Sequence, residues 1–319
     1  MLMFRLAATG GALFAATLCF LTIIAQIAPF QSPALEMIAS FLPQILIFSV
    51  LANAIAFFGP RRLALVATVL LVIAALPFVF FSKFERPTGT TCDVGECLTV
   101  ITINLWGESE FMPALSRLAE REQADLIGIN EAASLITEAV YLRHFPDYEQ
   151  AIHAAWENMP KHMGNPISLL ARKPVASSDR ILRDDTARRA YIWADLVAPW
   201  QETRIVIAHA MTPTSSAGLQ TRNTLLEAAS DAALQSKSFI LMGDFNLTPW
   251  TPTFRGLPGK RAGDPRFTRT WPTTNALFGL PIDHIMFSDN LELVEFRVLE
   301  SIGSDHYPIL ARFKRRSSE

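Results

Sequence analysis

The sequence predicts an α+β fold, a sandwich of β-sheets covered by helices, preceded by three transmembrane helices. Residues 1–87 hold only five basic and two acidic side chains, and they contain three long apolar runs. From residue 98 onward, short apolar strand patterns outnumber amphipathic helices, which favours packed sheets with helices on their outer faces. Only 18% of the 319 residues are charged, against about a quarter in soluble domains, which argues against a wholly soluble or disordered protein.

The N-terminal block, residues 1–87, is predicted to be a membrane domain. Its apolar runs cover residues 7–28, 38–58 and 63–81, each close to the ~20 residues that a helix needs to cross ~30 Å of hydrocarbon. A cleaved signal peptide is the alternative for the first run. That run is longer than the ~7–15 apolar residues of a signal peptide, and two further runs follow it. We therefore expect three spans.

Basic residues beside these spans predict their orientation. Arg5 precedes the first span and Arg61 and Arg62 separate the second from the third, whereas residues 29–37 contain no Lys or Arg. Since basic residues are retained in the cytoplasm, the chain after the third span should lie outside, although Lys83 and Arg86 weaken the asymmetry. The sequence thus predicts an integral inner-membrane or plasma-membrane protein, with the bilayer as a partner and an extracytoplasmic C-terminal domain.

Two cysteines lie in the linker of residues 88–97, just after the third span. Cys92 and Cys97 are too few for a zinc site, which usually has four ligands. A short disulfide loop is favoured, and it requires an oxidising compartment. Two unpaired thiols on a cytoplasmic linker are the alternative.

The charge of residues 88–319 bears on the class of substrate. Removing the charges of the N-terminal block from the totals of 28 basic and 30 acidic residues leaves 23 and 28, a net charge of −5. Extended contact with nucleic acid requires a basic surface, so nucleic acid is a possible but not a favoured partner. The segment 254–272 is locally basic, and it is either a solvated loop or a basic lip that collects an anionic substrate.

Polar side chains stand at the ends of the predicted strands. Each one alone has an ordinary explanation as a turn residue, a helix start or a hydrogen-bonded histidine. The set comprises Asn104, Glu131, His209, Asp244, Asn246, Asp283, Asp305 and His306. Because strand ends can converge on one rigid edge of a sheet, we expect these side chains to form one site.

The residue types in this set suit the hydrolysis of a phosphate ester. An anionic ester repels hydroxide, so the reaction needs a hard cation, and carboxylate and amide oxygens suit Mg²⁺ or Mn²⁺. It also needs a base that titrates near neutrality. A histidine held by a carboxylate, as proposed for His306 and Asp283, meets this need.

The motifs that carry these residues resemble the endonuclease/exonuclease/phosphatase superfamily, which includes pancreatic-type deoxyribonucleases, apurinic endonucleases, neutral sphingomyelinases and inositol polyphosphate 5-phosphatases. The motifs are TINLWG, DLIGINEA, AHAMTP, GDFN, IDHI and SDH, in this order. The resemblance covers residues 98–316, which would form the catalytic domain. It implies a four-layer α/β/β/α sandwich and a phosphohydrolase site that uses Mg²⁺ or Mn²⁺.

The resemblance also implies roles for individual residues. The metal ligands would be Glu131, Asn104 and Asp305. The catalytic residues would be His306, Asp283, Asp244, Asn246 and His209, with Asp244 as the acid/base carboxylate, Asn246 orienting phosphate or water, and His209 contacting a phosphate oxygen. Weaker candidates for substrate binding are Arg172 and His284. Two positions depart from the pattern of the family. Many relatives have Gln at the position of Asn130, and several have an aromatic or apolar residue at the position of His284.

These observations predict a membrane-anchored, metal-dependent phosphohydrolase acting on a lipid or small organic phosphate at the extracytoplasmic surface. An extracytoplasmic metal-dependent nuclease is the alternative, favoured by the basic segment and by the nucleases among the relatives. A membrane-tethered binding module without catalysis is the least favoured hypothesis, because the whole polar set is intact.

Overall fold

The computed structural model describes residues 2–27, 32–91, 95–132, 136–155, 166–183 and 189–316. The chain divides into two compact units. The first, here called the helix unit, contains Met1–Ser82, Pro213–Leu219 and Leu247–Gly256. The second, the sandwich unit, contains Lys83–Thr212, Gln220–Asn246 and Leu257–Glu319.

The N-terminal part of the helix unit consists of four helices: α1 (Leu2–Ile27), α2 (Pro33–Ser40), α3 (Leu42–Ala56) and α4 (Arg61–Val79). Small residues let these helices approach closely, since Ala12, Ala56 and Ala64 form a shared core. A Cβ on Gly11 would lie 3.1 Å from the carbonyl oxygen of Ala52. The early part of α1 therefore lies beside the late part of α3, so the two helices are antiparallel.

Two helices of this unit, over Arg5–Ile27 and Arg61–Val79, are long and apolar enough to cross a membrane. The second predicted span, residues 38–58, is not one straight helix, because α2 and α3 meet at a bend of 71°. Pro43, which lacks an N–H, lies in the first turn of α3, and Phe41 before it has left helical geometry. The 15 residues of α3 alone reach about 22 Å, so a third span requires the bent pair to act together.

The segment Leu247–Gly256, which includes the short helix α8 (Pro252–Arg255), packs on the ends of two membrane-type helices. Gln26, near the end of α1, donates a hydrogen bond to the carbonyl oxygen of Trp250. The ring of Phe78, near the end of α4, lies 4.9 Å from the Trp250 ring. The C-terminal ends of α1 and α4 therefore lie at the same end of the helix unit. The helix α3, which lies between them in the sequence, runs in the opposite direction to α1.

The sandwich unit contains two β-sheets. The strands of the seven-stranded sheet, in spatial order, are β1 (Phe84–Glu85), β10 (Lys260–Ala262), β11 (Asp283–Phe287), β9 (Ser238–Asp244), β8 (Thr203–Ala208), β7 (Arg189–Asp195) and β6 (Ser177–Arg183). The strands of the six-stranded sheet are β12 (Leu291–Val298), β13 (Ile309–Arg315), β2 (Leu98–Asn104), β3 (Leu126–Asn130), β5 (Ile167–Ala171) and β4 (Gln150–Ala154).

The sheets pack face to face, and helices lie on their outer faces. Alternate residues of both sheets, such as Val100 and Ile207, share one buried core. The other face of the six-stranded sheet packs on α5 (Met112–Arg121) and α6 (Glu138–His144). On the seven-stranded sheet, Arg204 points to the face opposite Ile207 and donates to the carbonyl oxygen of Ala232 in α7 (Ser216–Leu234). The mixed α/β sandwich with two sheets is as predicted.

The strand register brings the polar strand ends to one edge. Strands β2 and β3 are parallel with Asn104 opposite Asn130, so the ends of both strands are level. Strands β8 and β9 are also parallel, and antiparallel β11 places Asp283 opposite Asp244. A Cβ on Gly243 (φ 141°) would lie 2.0 Å from the carbonyl oxygen of Ala208, so only glycine lets β8 and β9 approach this closely here.

Candidate active site

Asn104 joins two carboxylates at this edge. Its Nδ2 donates to Glu131 Oε1 at 3.2 Å and to Asp244 Oδ2 at 3.0 Å. Its Oδ1 accepts from the backbone N–H of Trp106 at 2.8 Å, which holds the amide in this orientation. Asn104 and Asp244 are each 1% exposed, whereas the Glu131 side chain is 26% exposed, so the pair of carboxylates lies at the boundary between the interior and solvent.

The backbone at this edge adopts an unusual conformation. Trp106, Glu131 and Asn246 have φ values of 53°, 47° and 48°, a left-handed conformation that non-glycine residues seldom adopt. Such strain persists only where the surrounding contacts impose it, and it is frequent at functional sites. The concentration of three such residues around one cluster supports its assignment as the functional site.

His209 contacts both carboxylates as a neutral side chain. Its Nε2 lies 3.3 Å from Glu131 Oε1 and 3.7 Å from Asp244 Oδ2. Its Nδ1 lies 3.0 Å from Nη1 of Arg189, and because a guanidinium can only donate, Nδ1 accepts and the proton is on Nε2. Burial lowers the pKa of His209 well below its usual range, with Arg189 and His306 acting in the same direction. His209 therefore presents an N–H donor to the centre of the cluster.

Asp244 is the carboxylate that titrates near neutrality. Burial raises its pKa to about 7, and repulsion from Asp283 and Glu131 adds to this, while His306 and the Asn246 N–H oppose it. The backbone N–H of Asn246 donates to Asp244 Oδ1 at 2.9 Å, and Asn246 Nδ2 lies 3.3 Å from Asp244 Oδ2. A group with this pKa can take up or release a proton at physiological pH.

His306 and Asp283 form the predicted pair. The Nδ1 atom of His306 lies 2.9 Å from Asp283 Oδ2, and both side chains are buried. Burial lowers the pKa of His306, but the charge and hydrogen bond of Asp283, together with the charges of Asp244 and Asp305, raise it to about 10. The surrounding carboxylates thus favour the charged form of His306. The prediction that it titrates near neutrality does not fit this geometry, because its Nε2 also faces Asp244 Oδ2 and Asp305 Oδ1, each at 3.9 Å.

The donor set fits a divalent cation. Among the described residues, two clusters bring possible metal ligands within 4.8 Å of one another: Glu131, His209 and Asp244, and Asp244, Asp283 and His306. Because the histidine nitrogens that face these clusters carry protons, the carboxylates rather than the histidines would be the ligands. Trp271 Nε1 donates to Asp305 Oδ2 at 2.9 Å, whereas Asp305 Oδ1 is buried without a hydrogen-bond partner among the described residues. A buried carboxylate oxygen in this state is costly unless a cation or water satisfies it.

Two predicted substrate-binding residues do not lie at the cluster. Arg172 Nε donates to the carbonyl oxygen of Ala124, at the start of β3, whereas Glu131 follows the end of that strand. Arg172 is therefore at the opposite edge of the sheet. His284 directly follows Asp283 in β11, so its side chain projects to the other face, where Nδ1 accepts from Arg261 Nε at 3.0 Å.

Three of the five basic residues in the segment 254–272 are engaged in contacts within the fold, which weakens the prediction of a basic lip. Lys260 lies 3.0 Å from Asp289, and Arg266 is 2.6 Å from Asp264. Arg261 is fully buried, where it donates to His284 and to the carbonyl oxygens of Ala262 and Gly263. Arg255 and Arg269, the other two basic residues of this segment, are exposed.

The linker cysteines are described only in part. Cys97 is disulfide-bonded. Cys92 lies outside the described residues, so the proposed Cys92–Cys97 pairing stays a prediction.

The structure adds residues that sequence reasoning did not select. Arg189 follows another arginine at the start of a strand, and nothing in the local pattern indicates that it faces His209. Ser304 opens the SDH motif, and its Oγ donates to the Asn104 carbonyl oxygen at 2.6 Å and accepts from the His306 N–H. Asn130 accepts from the Asp244 N–H and donates to Ala208, so the amide that departs from many relatives joins the two sheets.

Comparison with known proteins identifies the class. The sequence profile of the Endonuclease/Exonuclease/phosphatase family matches residues 101–306, and the chain belongs to this family. No curated protein matches the chain in sequence.

Solved structures share the fold at low identity. An endonuclease/exonuclease/phosphatase from Beutenbergia cavernae aligns with a TM-score of 0.56 at 15% identity, covering 69% of this chain and 72% of the other. A humanized TDP2 from D. rerio aligns with a TM-score of 0.56 at 18% identity, covering 69% and 100%. A mannosyl-6-phosphatase from Bacteroides thetaiotaomicron aligns with a TM-score of 0.53 at 17% identity, covering 68% and 99%. The sandwich is thus the fold of a family of phosphoester hydrolases.

Proposed function

We propose that the chain is a membrane-anchored, Mg²⁺- or Mn²⁺-dependent phosphohydrolase acting on a lipid or small organic phosphate at the extracytoplasmic surface. The observation that carries this proposal is the buried cluster in which Asn104 joins Glu131 to Asp244 while Asp283 holds His306. Carboxylates of this density are unfavourable without cations, and they are the donor set of a phosphoryl-transfer site.

The metal would be held by Glu131 and Asp305, with the Nδ2 of Asn104 keeping Glu131 in place. Asn104 could itself become a ligand only after its amide turns its Oδ1 away from the Trp106 N–H. When bound, a divalent cation neutralises phosphate charge and stabilises the charge that develops during hydrolysis. Asp305 supplies the buried Oδ1, and Trp271 orients its other oxygen. This assignment requires oxygen ligands only, which is what Mg²⁺ and Mn²⁺ prefer.

The remaining residues divide the work of acid and base. Asp244, with a pKa of about 7, accepts the proton of the attacking water, and Asn246 orients that carboxylate. The water oxygen bonds to phosphorus as the P–O bond to the leaving alcohol breaks, and the proton taken up by Asp244 is then returned to that alcohol. The imidazolium of His306 and the Nε2–H of His209 donate to phosphate oxygens, where negative charge increases in the transition state. Asp283 keeps His306 charged and oriented. Asp244 thereby takes the role of base that the sequence pattern also allowed for His306.

Three membrane spans with the sandwich unit outside are part of this proposal. The C-terminal ends of α1 and α4 lie together, which is the arrangement expected when α2 and α3 return through the bilayer as one bent span. Arg5, Arg61 and Arg62 would then face the cytoplasm. The disulfide at Cys97 is consistent with an oxidising compartment.

A small or lipid phosphate is favoured over nucleic acid as the substrate. The sandwich unit lacks the basic field that tracks a polynucleotide, and Lys260, Arg261 and Arg266 are engaged in internal contacts. One of the structures that share the fold is described as a mannosyl-6-phosphatase, which is an enzyme of small organic phosphates.

The test is a panel hydrolysis assay on the full chain in detergent micelles. The panel contains phospholipids, sugar and inositol phosphates, an aryl phosphodiester, DNA and RNA, each with Mg²⁺ or Mn²⁺. We expect hydrolysis of lipid or small phosphates. Glu131→Gln should abolish this hydrolysis, whereas Glu300→Gln, the same change at an exposed carboxylate, is the matched control and should leave activity intact. Hydrolysis of DNA or RNA alone would show the nuclease instead, and no hydrolysis of any member would refute the proposal.

A further inference from the structure

The loop that follows the GDFN motif belongs to the helix unit. This segment, Leu247–Gly256, here called the 247–256 loop, groups with the four N-terminal helices. Most of its side chains are buried, and Trp250 is only 1% exposed. It begins at the residue after Asn246, which is a proposed catalytic residue. A contact that fixes the position of this loop therefore also restrains the backbone next to Asn246.

Gln26 holds the 247–256 loop through both the nitrogen and the oxygen of its side-chain amide. Its Nε2 donates to the carbonyl oxygen of Trp250 at 2.7 Å, and its Oε1 accepts from Nη2 of Arg255. Gln26 is 7% exposed and lies in the last turn of the largely apolar helix α1. A buried amide is costly unless it is hydrogen-bonded, and the loop satisfies this one.

Aromatic side chains at the end of α4 complete the contact. The rings of Phe78 and Phe81 lie 4.9 Å and 5.6 Å from the Trp250 ring. Phe81 also packs 5.9 Å from Phe254. Aromatic pairs at these separations stabilise by dispersion and by complementary ring edges and faces. The 247–256 loop is thus held by α1 through the Gln26 amide and by the end of α4 through aromatic rings.

The position of the loop bears directly on Asp244. Asn246 adopts a left-handed φ of 48° and uses its backbone N–H on Asp244 Oδ1 and its Nδ2 on the Ala210 carbonyl oxygen. A shift of the 247–256 loop would rotate this backbone and loosen the contacts that orient the Asp244 carboxylate. A misplacement of about 1 Å can lower turnover by about 10²-fold.

We propose that Gln26 is a positioning residue that holds the 247–256 loop and, through the chain that continues from Asn246 into this loop, the backbone of Asn246 and its contact with Asp244. This inference rests on the proposed function. Glu131, Asn104 and Asp305 follow or precede other strands, so metal binding should not depend on Gln26. Loss of the contacts of Gln26 with the 247–256 loop is therefore expected to lower turnover without changing the metal requirement. A general loss of folding would instead affect both turnover and metal binding.

The experiment compares Gln26→Leu with Asn53→Leu in the full chain in detergent micelles. Asn53 is a buried helix amide whose Nδ2 donates to Thr68 Oγ1 at 2.8 Å, away from the loop, so it is a matched control. Hydrogen exchange is measured on peptides covering residues 244–256. Turnover of an aryl phosphodiester is measured as a function of Mn²⁺ concentration.

In Gln26→Leu we expect exchange in the loop to rise and kcat to fall by about 10- to 100-fold, with the half-saturating Mn²⁺ concentration unchanged. Arg255→Leu should act in the same direction, and the double variant should be scarcely worse than Gln26→Leu. Asn53→Leu should keep parental loop exchange and kcat.

Parental kcat or parental exchange in Gln26→Leu would overturn the inference, and so would equal losses in Asn53→Leu. A parent chain that hydrolyses nothing, while the Gln26→Leu loop exchanges faster, would refute the proposed function and the catalytic part of this inference. That result would leave only the structural clamp.

Discussion

Arg189 shows how one side chain can set the protonation of a neighbour. It donates to Nδ1 of His209, so the proton of this histidine is on Nε2, which faces Glu131 and Asp244. In an isolated histidine the tautomer is free to change. Here the partly buried guanidinium of Arg189 selects the tautomer.

The Arg189→Leu variant is expected to lower kcat by about 10-fold or more, because His209 would lose the orientation of its donor and gain freedom to charge. Removing the positive charge should also raise the pKa of His209, since Arg189 lowers it in the parent. Steady-state kinetics and histidine NMR titration measure both effects. Arg180→Leu, on the neighbouring strand, removes an exposed arginine and should change neither. A parental kcat in Arg189→Leu would contradict the assignment.

The pH dependence of activity should report Asp244. If this carboxylate is the base, it must be deprotonated, so kcat/KM should fall as pH drops through a pKa at or below about 7, the metal-free value. Asp244→Asn should therefore remove the acid limb and lower the maximum. pH–rate profiles of the parent and of Asp244→Asn decide this. An acid limb that persists in Asp244→Asn would assign it to another group.

At the scale of elements, the ends of the buried strands are the features that the sequence predicts most reliably. The apolar strands that lead to Asn104, Glu131, His209 and Asp244 were predicted because burial on both faces leaves an apolar run that ends at a polar residue. Strand β6 was not predicted, since its sequence SSDRILR is largely exposed and lacks an apolar face. The bend between α2 and α3 was missed as well, because hydropathy averages over Pro43 and does not register helix direction.

Contacts between elements could not be predicted from the sequence, because they depend on strand register. Arg172 and Arg189 are both arginines next to strands, and only the register of those strands decides that Arg189 faces the site and Arg172 the opposite edge. The same holds for the clamp of Gln26 on Trp250, which joins residues more than two hundred positions apart.

The close approach of β8 and β9 provides a test at this scale. In Gly243→Ala the new Cβ would meet the Ala208 carbonyl oxygen at 2.0 Å in a conformation that L-residues avoid. We expect a loss of at least about 1–3 kcal/mol in the free energy of unfolding and loss of activity. Gly256→Ala, where the nearest atom is at 3.4 Å, is the control and should unfold like the parent. Equal melting temperatures would show that the strands can separate at little cost.

At the scale of the whole molecule, the orientation in the membrane is a prediction with a direct test. A reporter that is active only outside the cytoplasm should be active when fused after Glu319 and inactive when fused after Arg62, because the basic residues Arg5, Arg61 and Arg62 stay in the cytoplasm. The reverse pattern would refute both the orientation and an oxidising environment for Cys97.

The central claim is a metal-dependent phosphohydrolase site built around Glu131. The most direct measurement is turnover of an aryl phosphodiester by the full chain as Mn²⁺ is titrated, with Mn²⁺ affinity measured in parallel by calorimetry. In Glu131→Gln, which keeps size and removes charge, both affinity and turnover should fall sharply while the melting temperature without metal stays near the parental value. If Glu131→Gln bound Mn²⁺ and turned over substrate like the parent, the account of the site would be wrong.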